Sequence, residues 1–283
     1  MVSELINNHS TPNYAVFGNP IEHSKSPQIH KLFAKQTGVS LEYHAIKVPI
    51  DKLTSYIELF CSEGGRGLNI TVPFKENVCS LCTTLTQRAK ISGSVNTIQF
   101  NEKMNIHGDT TDGQGLINDL IGNHGVRLEG KSILILGAGG TVKSILERLS
   151  NKMIKEIIVA NRTVSRAKTL ERKFGQKSNI KAYSYSELSD HSFDIIINGT
   201  SLSLSAELPP ISKRNIKENT FCYDLMYSDT GTIFTKWAIE NGASKAVDGL
   251  GMLVEQAAES FMLWHGTKPD TEPVIKFLRD SKE

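Results

Sequence analysis

The run Ser132-Ile133-Leu134-Ile135-Leu136 feeds directly into Gly137-Ala138-Gly139-Gly140, and a helical pattern follows. Five residues of this kind read as a buried strand. A glycine-rich turn between a strand and a helix is the setting that a dinucleotide fingerprint requires. Gly137 permits the tight turn. Gly139 lets the backbone approach a pyrophosphate, which then sits on the helix N-terminus. The third fingerprint position is Val142, neither Gly nor Ala, a departure from the plain pattern. Read alone, the segment is also compatible with a glycine turn that serves structure only.

The surrounding chain alternates short apolar runs with longer amphipathic ones, the pattern of α/β units with largely parallel strands. In the first part, 14–18, 41–48, 67–71, 95–100 and 105–108 read as strands, with helices over 27–38 and 51–62 and a hairpin connection at 101–103. Ser26 is expected to cap the first helix, with Pro27 in its first turn. A connecting helix over 113–123 leads to the second part. There 131–137, 156–160, 193–198, 220–224 and 243–247 read as strands, and 140–149, 165–174 and 231–241 as helices. A long apolar helix from Gly249 to about His265 carries Gln256. The fold class expected is α/β with two domains: an N-terminal mixed α/β substrate domain over 1–112, joined by C-terminal helices of 249–283, and a Rossmann-type parallel-sheet domain over 113–248. Clefts between domains are common ligand sites, so a cleft between the two is expected.

With 283 residues, 39% hydrophobic and 22% charged, the chain has ordinary globular composition. Its net charge of +2, without a basic run, gives no reason to expect nucleic acid as a partner. No stretch of 18 apolar residues is present, and Met1–Pro12 lacks the basic start and apolar middle of a signal peptide. A cytoplasmic protein, monomer or homodimer, is expected. Four cysteines fit a reducing compartment. Cys79 and Cys82 form a lone C-x-x-C without the second pair or histidines that zinc needs, so they read as two ordinary cysteines on a helix after Lys75, and no metal is expected.

The residues after the second strand of the glycine half discriminate between cofactors. An NAD site has an acidic side chain there, about 20 residues on from the turn, to bind the ribose hydroxyls. Here Asn161-Arg162-Thr163 begins 24 positions beyond Gly137, with Arg166 one helical turn later. Two guanidinium groups and a hydroxyl suit a 2′-phosphate, which points to NADP(H). The alternative is a helix start with solvated arginines. Arginines there oppose the helix dipole, which favours the ligand role.

In the first part, Ser24 and Ser26 place two hydroxyls at a helix N-terminus, a good seat for a carboxylate; plain capping by Ser26 is the alternative. Asn69, Thr71 and Lys75 leave the end of a strand, and Pro73 turns the chain. Lys75 by itself could be a solvated lysine. Asp112 lies 37 positions further on. A Lys–Asp pair in a cleft can hold the lysine charged and aim its proton.

These stretches together resemble the shikimate dehydrogenases of the bacterial biosynthetic type, from Tyr14 to about Leu278. The matching segments are 15–20, 24–27, 69–75, 95–97, 109–113, 137–140, 161–163 and 248–253 with Gln256. The resemblance implies NADPH-dependent, reversible reduction of 3-dehydroshikimate to shikimate, in chorismate and aromatic amino-acid biosynthesis. It implies that Ser24 and Ser26 hold the substrate carboxylate. Asn69, Thr71, Asn96, Asp112 and Gln256 bind ring hydroxyls, and Tyr227 lies near the substrate. Lys75 and Asp112 are the catalytic pair. On the cofactor side it implies Gly137, Ala138, Gly139, Gly140, Asn161, Arg162, Thr163, Arg166 and Thr200, with Met226 and Gly249 near the nicotinamide.

The departures are few. The family usually has Asn where this chain has Thr110. Its glycine turn usually continues with small residues and Arg, where this chain has Thr141-Val142-Lys143-Ser144. After Asn198 it usually has Ala and then a Ser-Ser-Gly stretch, where this chain has Gly199-Thr200-Ser201-Leu202-Ser203. Two competing readings are an NAD-dependent quinate/shikimate dehydrogenase, opposed by Arg162, and a non-catalytic NADP-binding regulator, opposed by the retention of Lys75, Asp112 and the two serines.

Overall fold

The structure, a computed structural model, describes residues 14–150, 152–176 and 178–281. It divides into two compact units, one holding the chain up to Gly115 with Leu253–Ser281, the other Leu116–Met252. The α-helices among the described residues are α1 (Ser26–Thr37), α2 (Leu53–Ser62), α3 (Gln87–Ser92), α4 (Asp112–Asn118), α5 (Gly140–Leu149), α6 (Val164–Phe174), α7 (Ile233–Glu240), α8 (Leu250–His265) and α9 (Glu272–Asp280). None is long and apolar enough to cross a membrane.

The first unit is built on a mixed sheet of β1 (Tyr14–Gly18), β2 (Tyr43–Lys47), β3 (Gly67–Ile70), β4 (Thr84–Leu85), β5 (Thr97–Phe100) and β6 (Ile106–Asp109), in the order β2-β1-β3-β5-β6-β4. β1 runs parallel to both β2 and β3, with α1 and α2 as the crossovers that parallel strands require. β5 is antiparallel to β3 and to β6, the hairpin turning through 101–105. Register places Asn69 opposite Thr97, and Thr97 opposite Asp109. One row across three strands therefore ends at the loop that carries Asp112. Phe17, Phe60, Leu68, Ile70, Phe74 and Ile98 form the centre of the apolar core beside it.

The second unit has an all-parallel sheet of β7 (Ser132–Leu136), β8 (Glu156–Ala160), β9 (Ile180–Tyr183), β10 (Phe193–Asn198), β11 (Ile216–Asp224) and β12 (Lys245–Val247). Its order is β12-β11-β10-β7-β8-β9, a doubly wound arrangement whose direction of winding reverses between β7 and β10. Every residue of β7 is buried, which explains its unbroken apolar run. At the reversal point Gly137 has φ +103°, and an added Cβ there would lie 2.8 Å from the Gly199 carbonyl oxygen. Both the backbone angle and the close neighbour require glycine.

Several expectations shift. The strand expected over 41–48 is shortened to Tyr43–Lys47, and the one expected over 220–224 begins at Ile216. The helix expected over 113–123 is α-helical only to Asn118 and continues as a π-turn over Asp119–Asn123. Ser26 does not cap α1. Lys25 occupies the cap position, and Ser26 is the first helical residue, its amide donating to Ser24 Oγ at 3.3 Å. Cys79 lies in a 3-10 turn over Asn77–Leu81 and Cys82 just after it, not on an α-helix. Burial pushes the Cys82 thiol up to about 12. Among the described residues no cluster of three or more His, Cys, Asp or Glu is arranged to hold a metal ion.

Val142, the odd third residue of the glycine fingerprint, has its counterpart in Gly199. An added Cβ at 199 would come within 2.6 Å of Val142 Cγ2 and 3.0 Å of the Leu136 carbonyl oxygen. The valine methyl fills the space that a side chain at 199 would take. Gly199→Ala is expected to cost about 1–3 kcal/mol by overpacking. Adding Val142→Ala is expected to recover part of that loss, so urea unfolding of the two single variants and the double variant should be clearly non-additive.

Candidate active site

Three loop segments converge at the end of β3, β5 and β6. The residue after β3 is Thr71, and Phe74 N donates back to its carbonyl, turning the chain so that Lys75 follows. The Lys75 carbonyl receives Val95 N, the Asn96 carbonyl receives Ile70 N, and Asn96 N donates to the Asp109 carbonyl. These backbone bonds bring Lys75, Asn96 and the start of α4 together. Lys75 Nζ meets Asp112 Oδ2 at 2.6 Å, with the lysine side chain 14% exposed and the aspartate 3%. Thus the lysine reaches solvent and its partner does not.

Asn96 is the hub. Its Nδ2 donates to Asp112 Oδ1 at 2.9 Å, Gln256 Oε1 at 3.0 Å and Thr111 Oγ1 at 2.8 Å. Its Oδ1 accepts from Thr111 N at 2.8 Å and from Thr97 Oγ1 at 3.0 Å. Both oxygens of Asp112 are therefore engaged, one by the lysine and one by the amide, and the carboxylate cannot rotate without breaking one of them. Gln256 arrives from α8, and one turn later Ser260 meets Asn69 Nδ2, Thr97 Oγ1 and Thr111 Oγ1 at 3.0, 2.8 and 3.4 Å.

Asn69 is held as firmly. Tyr43 Oη donates to its Oδ1 at 2.7 Å, while its Nδ2 faces the Asn96 carbonyl, Thr97 Oγ1 and Ser260 Oγ. Burial raises the Tyr43 phenol well above its ordinary value, so it stays a donor and fixes which way the amide points. The ring of His30 stacks on Tyr43 with centroids 4.2 Å apart. His30 is fully buried, and burial lowers its pKa to about 3, so it packs as a neutral ring. Ser26 is buried beside the Tyr43 hydroxyl. A continuous polar path thus runs from Ser26 through Tyr43, Asn69, Thr97 and Asn96 to Asp112 and Lys75. Ser24 is half-buried before α1. Thr71 donates its amide to the Phe17 carbonyl, and its methyl lies against Gly18.

The residues expected at a dinucleotide lie at carboxyl ends of strands in the second unit, where ligands of open α/β sheets bind. Gly137–Gly140 follow β7, Asn161–Thr163 follow β8, Thr200 follows β10, Met226 follows β11 and Gly249 follows β12. Nothing lies within 4 Å of a Cβ added at Gly139, which is the α5 cap residue. The backbone there is open to a close neighbour, as a pyrophosphate needs. Arg162, Thr163 and Arg166 are exposed, and Asn161 Nδ2 donates to the Thr163 carbonyl at 2.9 Å, closing the turn into α6. The donor set fits a phosphorylated ribose. Gly249 fits under the chain leaving β11: a Cβ there would stand 2.3 Å from the Leu225 carbonyl oxygen, and its N donates to the Met226 carbonyl. Tyr227 is half-buried just after Met226.

Comparison with known proteins finds three family matches along the chain. Residues 16–98 match the shikimate dehydrogenase substrate binding domain, 120–226 match shikimate / quinate 5-dehydrogenase, and 249–279 match the shikimate 5′-dehydrogenase C-terminal domain. The NADP(+) shikimate dehydrogenase of Hahella chejuensis is 49% identical over 94% of this chain and 98% of its own. That of Alkalilimnicola ehrlichii is 47% identical over 95% and 99%. This chain belongs to the shikimate dehydrogenase family. Shikimate 5-dehydrogenase from Thermus thermophilus, solved in complex with NADP(H) and shikimate, superimposes with a TM-score of 0.84 at 28% identity, covering 95% of this chain and 99% of that one.

Within this shikimate dehydrogenase fold, Thr110 is buried, with its amide on Asp109 Oδ1 at 2.7 Å. Asp109 in turn accepts from Arg88 through both its oxygens and from Thr86 Oγ1 at 2.6 Å. Arg88 and Thr86 hold the Asp109 carboxyl below its ordinary value despite burial. The loop that delivers Asp112 is thereby pinned from below by an ion pair that the sequence reading passed over. Tyr43, Thr97 and Ser260 were also passed over. Ser260 did carry a signal, since it lies four residues beyond Gln256 and so on the same helix face.

Arg88→Ala leaves the Asp109 carboxylate buried without its cation. The expected loss is about 3 kcal/mol at pH 7 in urea unfolding. In the wild type a depressed pKa means that the pair's contribution is complete above the ordinary carboxylate range and is lost only below it. In the variant the lone carboxyl takes up a proton more readily. The stability gap between the two is therefore expected to narrow as pH falls from 7 to 4; a gap that widens would remove the ion pair from its pinning role.

Proposed function

We propose that this chain catalyses the NADPH-dependent, reversible reduction of 3-dehydroshikimate to shikimate, a step on the way to chorismate and the aromatic amino acids. The observation that carries the reading is the 2.6 Å contact between a partly exposed lysine and a buried, doubly engaged aspartate, in the unit that matches a substrate-binding domain. Its substrates are small molecules, and the active form is a monomer or homodimer.

NADPH supplies the hydride that reduces the carbonyl carbon. Lys75 gives a proton from Nζ to the C3 oxygen, and takes it back in the oxidative direction. Asp112 aims the ammonium group through Oδ2, and Asn96 holds Asp112 through Oδ1. Ser24 and Ser26, at the start of α1, bind the substrate carboxylate, where the helix N-terminus favours an anion. Asn69, Thr71, Asn96 and Gln256 define the ring-hydroxyl side. The Asn96 amide is taken up by protein groups at both its nitrogen and its oxygen, so it serves as a rigid frame, while Asn69 Oδ1, which accepts from Tyr43, keeps a lone pair for a ring hydroxyl. Tyr227 completes the substrate contacts. Gly137, Ala138, Gly139 and Gly140 hold the pyrophosphate. Asn161, Arg162, Thr163 and Arg166 hold the 2′-phosphate, Thr200 borders the cofactor, and Met226 and Gly249 lie near the nicotinamide.

General acid catalysis is typically worth about 10²–10⁴-fold. Lys75→Ala is expected to lower kcat by that order with a much smaller change in KM. Asp112→Asn should also cost heavily, and the double variant should lose little more than the worse single one. A Lys75→Ala enzyme that keeps more than about half of the wild-type kcat removes Lys75 from the chemistry.

Cofactor choice has its own test. A charge-assisted hydrogen bond is worth about 1.5–3 kcal/mol. Arg162→Ala is therefore expected to lower kcat/KM with NADP⁺ by roughly 10- to 150-fold, and to leave the slow rate with NAD⁺ nearly unchanged. Equal damage with both cofactors, or wild-type turnover of NAD⁺ as fast as NADP⁺, contradicts the 2′-phosphate reading.

A further inference from the structure

The carboxyl ends of β10 and β11 carry a closed polar lattice. Asn198 and Asp224 are both fully buried. Asn198 Oδ1 accepts from the Thr200 amide at 3.1 Å and from its hydroxyl at 2.7 Å. Asn198 Nδ2 donates to Asp224 Oδ1 at 3.1 Å and to Ser203 Oγ at 3.3 Å. Ser203 Oγ donates to Asp224 Oδ2 at 2.7 Å, and Met226 N donates to Asp224 Oδ1 at 3.1 Å.

Asp224 differs in its partners from Asp109 and Asp112. Asp109 faces an arginine and Asp112 a lysine. The partners of Asp224 are Asn198, Ser203, Thr232 and a backbone amide, and burial raises its pKa. A buried carboxyl group with only neutral partners depends on each hydrogen bond it receives. Ser203 supplies one of these at 2.7 Å. The same carboxyl group reaches Met226 directly and Thr200 through Asn198, so one lattice sets the loop after β10 and the chain after β11 together.

We propose that Ser203 is a positioning residue for cofactor binding: its bond to Asp224 locks the 199–203 loop and Met226, before the cofactor arrives, in the arrangement that receives NADP(H). The proposal rests on the reading above that Thr200 and Met226 border the cofactor. Ordering a loop in advance strengthens binding by removing the cost of ordering it later. The lock touches no group assigned to the 2′-phosphate. It therefore strengthens NADP⁺ and NAD⁺ binding by the same factor, unlike Arg162.

The test compares wild type with Ser203→Ala, and with Ser203→Thr, which keeps the hydroxyl. Amide hydrogen exchange of the cofactor-free protein reads the lock, and calorimetric titration with NADP⁺ and with NAD⁺ reads affinity. The expected result for Ser203→Ala is faster exchange at 199–203 and Met226, about tenfold weaker binding of both cofactors, and a kcat at saturation within about twofold of wild type. Ser203→Thr is expected to restore both readouts. Affinity within about twofold of wild type in Ser203→Ala overturns the proposal, and so does a loss confined to NADP⁺. Should saturating NADP⁺ fail to protect the 199–203 amides of the wild type, the assignment of this loop to the cofactor fails instead. Faster exchange with unchanged affinity leaves Ser203 ordering the loop but removes its part in cofactor binding, and so overturns the proposal too.

Discussion

The substrate unit depends on one buried amide. Asn96 has two donor hydrogens and two acceptor lone pairs, and nearly all of this capacity is spent on residues that belong to different parts of the chain: Thr111 and Asp112 at the start of α4, and Gln256 on α8. A buried amide left without partners costs several kcal/mol, so these segments come together or the site does not form. The geometry of Lys75 and Asp112 follows. The lysine is aimed by a carboxylate that is itself held from behind, and the held carboxylate starts a helix whose preceding loop is tied to Arg88. Electrostatic positioning of this kind works because the groups are ordered before the reaction begins.

Much of the frame was legible in the sequence, for a physical reason. Buried stretches such as 157–160 and 195–197 must be apolar on both faces, and their runs announce themselves. Helix α5 was legible to the residue because glycines mark its start and an apolar stripe marks its length. Elements at the rim were not. In β9 Ile180 alone is buried, so no apolar run distinguishes it from a loop. The π-turn at Asp119 reflects contacts far away in sequence: its carboxyl group accepts from Tyr223, and the start of α8 packs on it at Gly251. No local pattern encodes that.

The site divides in the same way. Gln256 was visible as a polar residue in an apolar helix, Lys75 and Asp112 as a candidate pair and Asn96 through the family resemblance, and the structure brings those four together. Tyr43 was invisible, because an alternating strand with one tyrosine says nothing about which amide the phenol will meet. The cap position expected of Ser26 is taken by Lys25 without a side-chain capping bond, since the helix begins one residue earlier and buries Ser26 next to Tyr43. Val142 and Gly199 looked like two unrelated departures from the family pattern. In three dimensions they are one exchange of volume, a larger side chain on α5 balanced by a smaller one after β10.

The arrangement of the substrate unit also has a consequence in time. Its sheet is complete by Asp109, yet Gln256 and Ser260, which engage Asn96, Asn69, Thr97 and Thr111, come from a helix made more than 140 residues later. On the ribosome, the first unit waits with these buried groups short of partners while the whole second unit is synthesised. A chain that stops before α8 carries Lys75, Asp112 and Asn96 but lacks the two α8 side chains that complete the network behind them. The full network therefore closes only once α8 has been made.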